Sequence, residues 1–245
     1  MKTMDATSDG QPEKGRSAGM VITIDGPAGA GKTTVSRAVA RRLGYRYVDT
    51  GALYRGVALA AAANGIAADD DDGLDRLCSD LHLTFIRREN GDLRLFLNGR
   101  DVTGRIRTPE ISMLASDVSA RPVVRRFLLE LQRKLGREKC VVFEGRDMGT
   151  VVFPGADVKI FLNASHRARA LRRFNETAAL GDRTLDQVAD EIRRRDENDS
   201  SRELAPLKPA VDAVMIDSTE LSIDEVVEKI IAQVRNRQES EKNVK

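Results

Sequence analysis

The sequence predicts an α/β fold: a doubly wound, parallel five-stranded core with helices on both faces and an inserted antiparallel hairpin. Three observations lead there. Short, mainly apolar runs recur along the chain, helical patterns separate them, and the first run opens directly into a glycine-rich turn followed by a helix. The runs are Met20–Asp25, Cys140–Glu144, Val158–Asn163 and Ala213–Asp217, with a weaker fifth at Tyr45–Asp49. Apolar at most positions rather than strictly alternating, they suit parallel strands buried on both faces.

The helices follow from their stripes and end signals. Lys32 to Leu43 carries an apolar stripe and stops at Gly44, and the alanine-rich stretch Leu53 to Ala63 stops at Asn64-Gly65. Thr108-Pro109 sets a cap residue before a proline at the first helical position. Thr184 with Gln187, and Ser222 with Glu225, have capping-box spacing, and Ser222 to Arg235 is amphipathic. One segment breaks the alternation. Leu81–Arg87 and Leu93–Leu97 flank Glu89-Asn90-Gly91-Asp92, a hairpin signal, and a second Asn98-Gly99 follows. The insert spans about residues 67–116 of a single domain at 20–236. The acidic run Asp69 to Asp72 at its start reads as a solvated loop leading into a helix, because nothing spaces the carboxylates as a calcium loop would.

Composition narrows the function classes. Forty basic against thirty-eight acidic side chains leave a formal charge of +2. That balance argues against wrapping nucleic acid or lying on an anionic membrane, so any phosphate recognition must be local. The charges along the arginine-rich stretches are mixed in sign, which counts against RNA binding through them. No stretch is long and apolar enough to cross a membrane. The polar segment 1–19 lacks the hydrophobic core of a signal peptide and is expected to be a disordered tail, with a second flexible tail at 237–245. Cys78 and Cys140 read as reduced thiols rather than a disulfide, Cys140 as a buried thiol opening its strand, in keeping with a cytoplasmic protein.

The strongest local signal is Gly26-Pro27-Ala28-Gly29-Ala30-Gly31-Lys32-Thr33, a complete Walker A pattern between a strand and a helix. Its glycines let backbone N–H groups converge on phosphates, and the helix N-terminus adds a favourable dipole. Lys32 is placed to reach the β- and γ-phosphates of ATP, the Thr33 hydroxyl to meet Mg²⁺, and Thr34 to add a contact near the inner phosphates. No Asn-Lys-x-Asp guanine-reading segment is present, which counts against a GTPase switch.

Three further segments carry a resemblance: Asp49-Thr50-Gly51-Ala52-Leu53-Tyr54-Arg55, Glu144-Gly145-Arg146-Asp147-Met148-Gly149-Thr150-Val151-Val152-Phe153-Pro154, and Arg195-Asp196-Glu197-Asn198-Asp199-Ser200-Ser201-Arg202. With the inserted hairpin, the chain from about Val21 to Val234 resembles the bacterial cytidylate kinases, (d)CMP kinases of the nucleoside monophosphate kinase superfamily. The resemblance implies Mg²⁺-dependent transfer of a phosphoryl group from ATP to CMP or dCMP by a cytosolic monomer. It implies that the insert serves the acceptor and that residues 183–206 form a mobile helical lid. It also implies that Arg55 and Arg146 hold the acceptor phosphate, Thr50 helps position the nucleotide, and Asp147, Ser116 and Arg125 read cytosine. Arg195 and Arg202 would stand over the transferring phosphoryl group, and Asp199 with Arg195 would reach the sugar.

Several of these residues have a plainer reading as well. Tyr54 reads equally as a core edge or as a contact to the acceptor, and Arg146 with Asp147 as a mutual surface pair. Ser116 suits a helix surface hydroxyl, and Arg125 is one charge among several in Arg121 to Arg133. Arg193 and Arg194 read as a solvated face. Glu144 stands where many relatives carry Asp, which leaves its reach toward Mg²⁺ open. His82 and His166 carry no evident chemistry. A UMP-specific or small-metabolite kinase is the nearest rival.

Overall fold

The computed structural model describes residues 19–87, 93–177 and 183–243. In chain order the first half comprises β1 (Val21–Asp25), α1 (Lys32–Leu43), β2 (Arg46–Asp49), α2 (Thr50–Ala63), α3 (Asp71–Ser79), β3 (Leu83–Arg87), β4 (Leu93–Leu97), β5 (Arg100–Asp101) and α4 (Pro109–Val118). The second half comprises α5 (Pro122–Gly136), β6 (Val141–Gly145), β7 (Val158–Asn163), α6 (His166–Thr177), α7 (Leu185–Ser201), β8 (Val214–Asp217) and α8 (Ile223–Asn243). The main sheet has five strands in the order β2-β6-β1-β7-β8, every pair parallel. β1 and β6 are buried at every residue, including Thr23, Asp25 and Glu144, as central strands of a parallel sheet covered on both faces are.

On one face α1 and α8 pack Val35, Val39, Val227 and Ile230 against Ile22, Ile24 and Leu162. On the other, Val21, Val48 and Phe143 meet Met148 and Val152 of a π-helical turn. A second core joins α2 to the insert, where Leu53, Val57, Leu74, Leu95, Val118 and Leu128 are buried together. The insert holds a three-stranded sheet, β3-β4-β5, one strand more than the hairpin expected. Asn98 and Gly99, both at positive φ, turn β4 into β5. The expected turn at Glu89 to Asp92 lies outside the described residues, as does most of the expected N-terminal tail.

The expected caps at Thr108, Thr184–Gln187 and Ser222–Glu225 are all formed. Other boundaries differ for identifiable reasons. α2 starts at Thr50, ahead of the expected Leu53, because the Asp49 carboxylate accepts from Ala52 N at 3.0 Å and caps it. Cys140 is exposed, not a buried strand thiol: Lys139 and Cys140 both have positive φ, and the chain enters β6 only at Val141. β8 is an edge strand pairing only with β7, so Met215 is exposed and Ile216 buried. α8 continues past Arg235 to Asn243. In the acidic run, Asp70 caps α3 through Gly73 N, and Asp71 accepts two hydrogen bonds from Arg121. Among the described residues no helix is long and apolar enough to cross a membrane.

Candidate active site

β1 lies between β6 and β7, so the loops leaving β1 and β6 meet with the start of α2 at the carboxyl edge of the sheet, where open α/β sheets bind ligands. Gly26 leaves β1 with φ 148°, and a Cβ there would stand 1.9 Å from Leu162 O, so only glycine fits. The loop closes at Gly31, whose left-handed backbone starts α1. Lys32 is buried, and its Nζ donates to Pro27 O at 2.6 Å. Burial first, then the nearby Arg146 and Arg195, bring its ammonium down to about 7, against the pull of Glu144.

Glu144, also buried, ends the central run of β6. Its Oε1 accepts from Thr33 Oγ1 at 2.8 Å and its Oε2 from the Tyr47 hydroxyl. The longer side chain therefore reaches the phosphate loop. Burial and the charge of Asp49 raise its pKa. Thr33 and Glu144 offer hard oxygen donors, the chemistry a Mg²⁺ ion prefers. The Thr50 hydroxyl donates to Glu144 O at 2.6 Å and ties α2 to β6.

Around this floor lies a cavity of about 450 Å³. It brings together Thr33, Thr34, Lys32, Thr50, Tyr54, Arg55, Ser116, Arg125, Arg146, Asp147, Arg195, Asp199 and Arg202, as well as Ala28, Gly29 and Gly31. Gly26, Pro27 and Ala30 do not line it. Arg193 and Arg194 face solvent. His82 is exposed, and His166 sits at the start of α6 with Nε2 3.1 Å from Ala189 O.

The cavity wall is an ion-pair network. Arg125 donates to Asp147 at very close range, and its guanidinium carbon stands 5.8 Å from the centre of the buried Tyr54 ring. Burial raises the Asp147 pKa, while Arg125 and Arg202 favour its anion. Asp199 accepts from Arg146 Nε at 2.8 Å and from Ser116 Oγ at 3.1 Å. Burial would raise its pKa, but Arg146, Arg195 and Arg202 together hold it low. Arg55 donates to Asp49 at 2.7 Å. The buried Arg195 Nε and Arg202 Nη2 have no hydrogen-bond partner. Burial, reinforced by Arg146, lowers Arg195 to about 10.

Four features escape the sequence reading. Asp49 acts as cap and as partner of Arg55, and its position before a helix was the available signal. Ser119 accepts from Arg202 Nη1 at 2.5 Å. Asp196 of α7 accepts from Ala28 N at 3.3 Å and pairs with Arg169, which also donates to Ala28 O at 3.1 Å. Asp25, the last residue of β1, accepts from Met148 N and Gly149 N. The last three depend on tertiary contacts and leave no local pattern.

A Walker A loop, a buried lysine at its end and a facing set of arginines define a phosphoryl-transferring enzyme of the P-loop kinase class. The comparisons with known proteins narrow the class. The family model for cytidylate kinase matches residues 22–236. The cytidylate kinase of Geobacter sulfurreducens is 54% identical over 221 residues, covering 90% of this chain and 94% of that protein. That of Thermosipho melanesiensis is 48% identical over 217 residues, covering 88% and 97%. The chain belongs to the cytidylate kinase family. A gluconokinase structure from Sinorhizobium meliloti shares the fold alone, with a TM-score of 0.50 at 17% identity, covering 92% of this chain and 97% of that one.

Proposed function

We propose that the protein transfers the γ-phosphoryl group of ATP to CMP or dCMP, giving ADP and CDP or dCDP. The observation that carries this reading is the buried Arg125–Asp147 pair, in one cavity with Lys32 and Thr33. Cytosine presents an amino donor beside ring acceptors, and a carboxylate next to a guanidinium matches both. Uracil puts a carbonyl where cytosine has the amine, leaving Asp147 opposed by an acceptor.

An oxygen of the acceptor phosphate attacks the γ-phosphorus, a new P–O bond forms, and the bond to the β-bridging oxygen breaks to release ADP. The attacking oxygen is already anionic, so no side chain has to remove a proton. The loop N–H groups from Gly29 to Thr34 cradle the donor, and Lys32 regains its full charge against the triphosphate. Arg55 and Arg146 hold the acceptor phosphate. Arg195 and Arg202 bring unused N–H groups to the equatorial oxygens, where charge spreads in the transition state. Thr33 and Glu144 would hold Mg²⁺, which when bound neutralises charge on the donor phosphates. Asp199, Ser116 and Thr50 orient the nucleoside, and α7 closes over it to exclude water. On this reading the enzyme acts in the cytosol, as a monomer, on free nucleotides.

The test is ADP release from ATP and Mg²⁺ with CMP, dCMP, UMP and AMP added separately. Strong stimulation by CMP and dCMP is expected. Stimulation by UMP or AMP alone would discard the base-pocket assignment.

A further inference from the structure

Asp25 stands between the two substrate loops and touches neither substrate in the mechanism above. It is the last residue of β1, directly before Gly26, and is 5% exposed. Its Oδ1 accepts from Met148 N at 2.9 Å and its Oδ2 from Gly149 N at 2.8 Å. Those N–H groups begin the π-helical turn Met148–Val152, and so lack partners within it. Arg146 and Asp147 immediately precede that turn. The turn also packs hard on β1: a Cβ at Gly149 would stand 3.1 Å from Thr23 Oγ1 and 3.4 Å from Asp25 Oδ2.

We infer that Asp25 is a positioning residue that locks the acceptor-reading segment Arg146–Asp147 to the strand carrying the phosphate loop. Its two carboxylate oxygens fix the first two peptides of the turn and thereby the placement of Asp147 toward the base. One carboxylate thus sets the register between the donor and acceptor sites. The chemistry requires two acceptor atoms. An amide of the same shape has one acceptor and turns its NH₂ toward a backbone donor, so Asn cannot replace it. The inference rests on the CMP kinase reading.

The experiment compares Asp25→Asn and Gly149→Ala with the unmodified protein. Gly149→Ala displaces the same turn while leaving the phosphate-loop strand's own residues unchanged. Steady-state kinetics with CMP and UMP, ATP titrations and thermal melts are read together. In both variants KM for CMP is expected to rise about tenfold and the preference for CMP over UMP to shrink by a similar factor, with KM for ATP within about twofold. A purely structural role would lower the melting temperature without moving the CMP/UMP ratio. That outcome, or an equal change in both KM values, overturns the inference. If Asp25→Asn does not fold, Gly149→Ala alone decides by the same readout. Absence of CMP-stimulated turnover in the unmodified protein would overturn the kinase reading and this inference with it.

Discussion

The phosphate end of the cavity and its acceptor end are built in opposite ways. The phosphate end is one consecutive stretch, Gly26 to Thr33, whose binding groups are mostly backbone N–H, shaped by a few glycines. The acceptor end draws Tyr54 and Arg55 from α2, Ser116 from α4, Arg125 from α5, Arg146 and Asp147 from the edge of β6, and Asp199 from α7. There the charges answer one another: Arg125 with Asp147, Arg146 with Asp199, Arg55 with Asp49. The cations that face the donor phosphates, one in the phosphate loop and one reaching over it from α7, are left short of anions. Lys32 meets a carbonyl, and Arg195 keeps an unpartnered Nε. A backbone-built site tolerates loss of a side chain as a fold and loses only chemistry. A side-chain network loses selectivity with any member, because the group left behind stays buried without its partner.

The largest effect that tests this contrast is expected from Lys32→Ala. Loss of a buried cation aimed at the developing charge should lower kcat by ~10²–10³-fold or more. The melting temperature should hold or rise, because a charge costly to bury has been removed. A large fall in melting temperature would show that the Lys32–Pro27 hydrogen bond shapes the loop, and the contrast would fail. Asp147→Asn comes next. It keeps the shape but leaves Arg125 and Arg202 facing a neutral amide. The expected loss in kcat/KM for CMP is ~10²-fold, with a smaller loss for UMP because an amide can donate to the uracil carbonyl. KM for ATP should stay within about twofold of the unmodified enzyme. An equal loss for both acceptors would mean that Asp147 supports the pocket without reading the base.

The same contrast governs what the sequence reveals. The phosphate loop is legible in full because its function depends on local backbone conformation, which glycine spacing encodes directly. The strands and helix caps are legible for the same reason. The acceptor wall is not: Ser116 and Arg125 look like ordinary helix-surface residues until α4 and α5 are folded against α2. Family resemblance pointed to them, and the residues alone did not. Asp25, Asp196 and Ser119 serve partners 124, 168 and 83 positions away, a coupling no local pattern can carry. Cys140 was misread because an apolar run does not reveal where the backbone turns into its strand.

A smaller effect separates the two ends by proton linkage. Burial and the neighbouring arginines bring Lys32 from its ordinary 10.5 to about 7 in the folded protein. Between pH 7 and 10.5 the unfolded chain binds more protons at this site than the folded one, so this group's contribution to stability improves as pH rises through that window. Below pH 7 it is charged in both states and its burial cost is fully present. Asp25, raised by burial from 3.8 to about 6, acts in the other direction: its contribution falls as pH rises from 3.8 to 6. A triphosphate placed on Lys32 restores the proton. ATP binding at pH 8 to 9 should therefore take up a proton, and affinity should fall by as much as ~10-fold per pH unit above 7. Titration calorimetry in two buffers of different ionisation enthalpy measures that uptake, and Lys32→Ala should abolish it. CMP alone should bind with far less proton uptake over the same range, because guanidinium groups stay charged there. Equal uptake for both ligands would place the titrating group outside the phosphate loop.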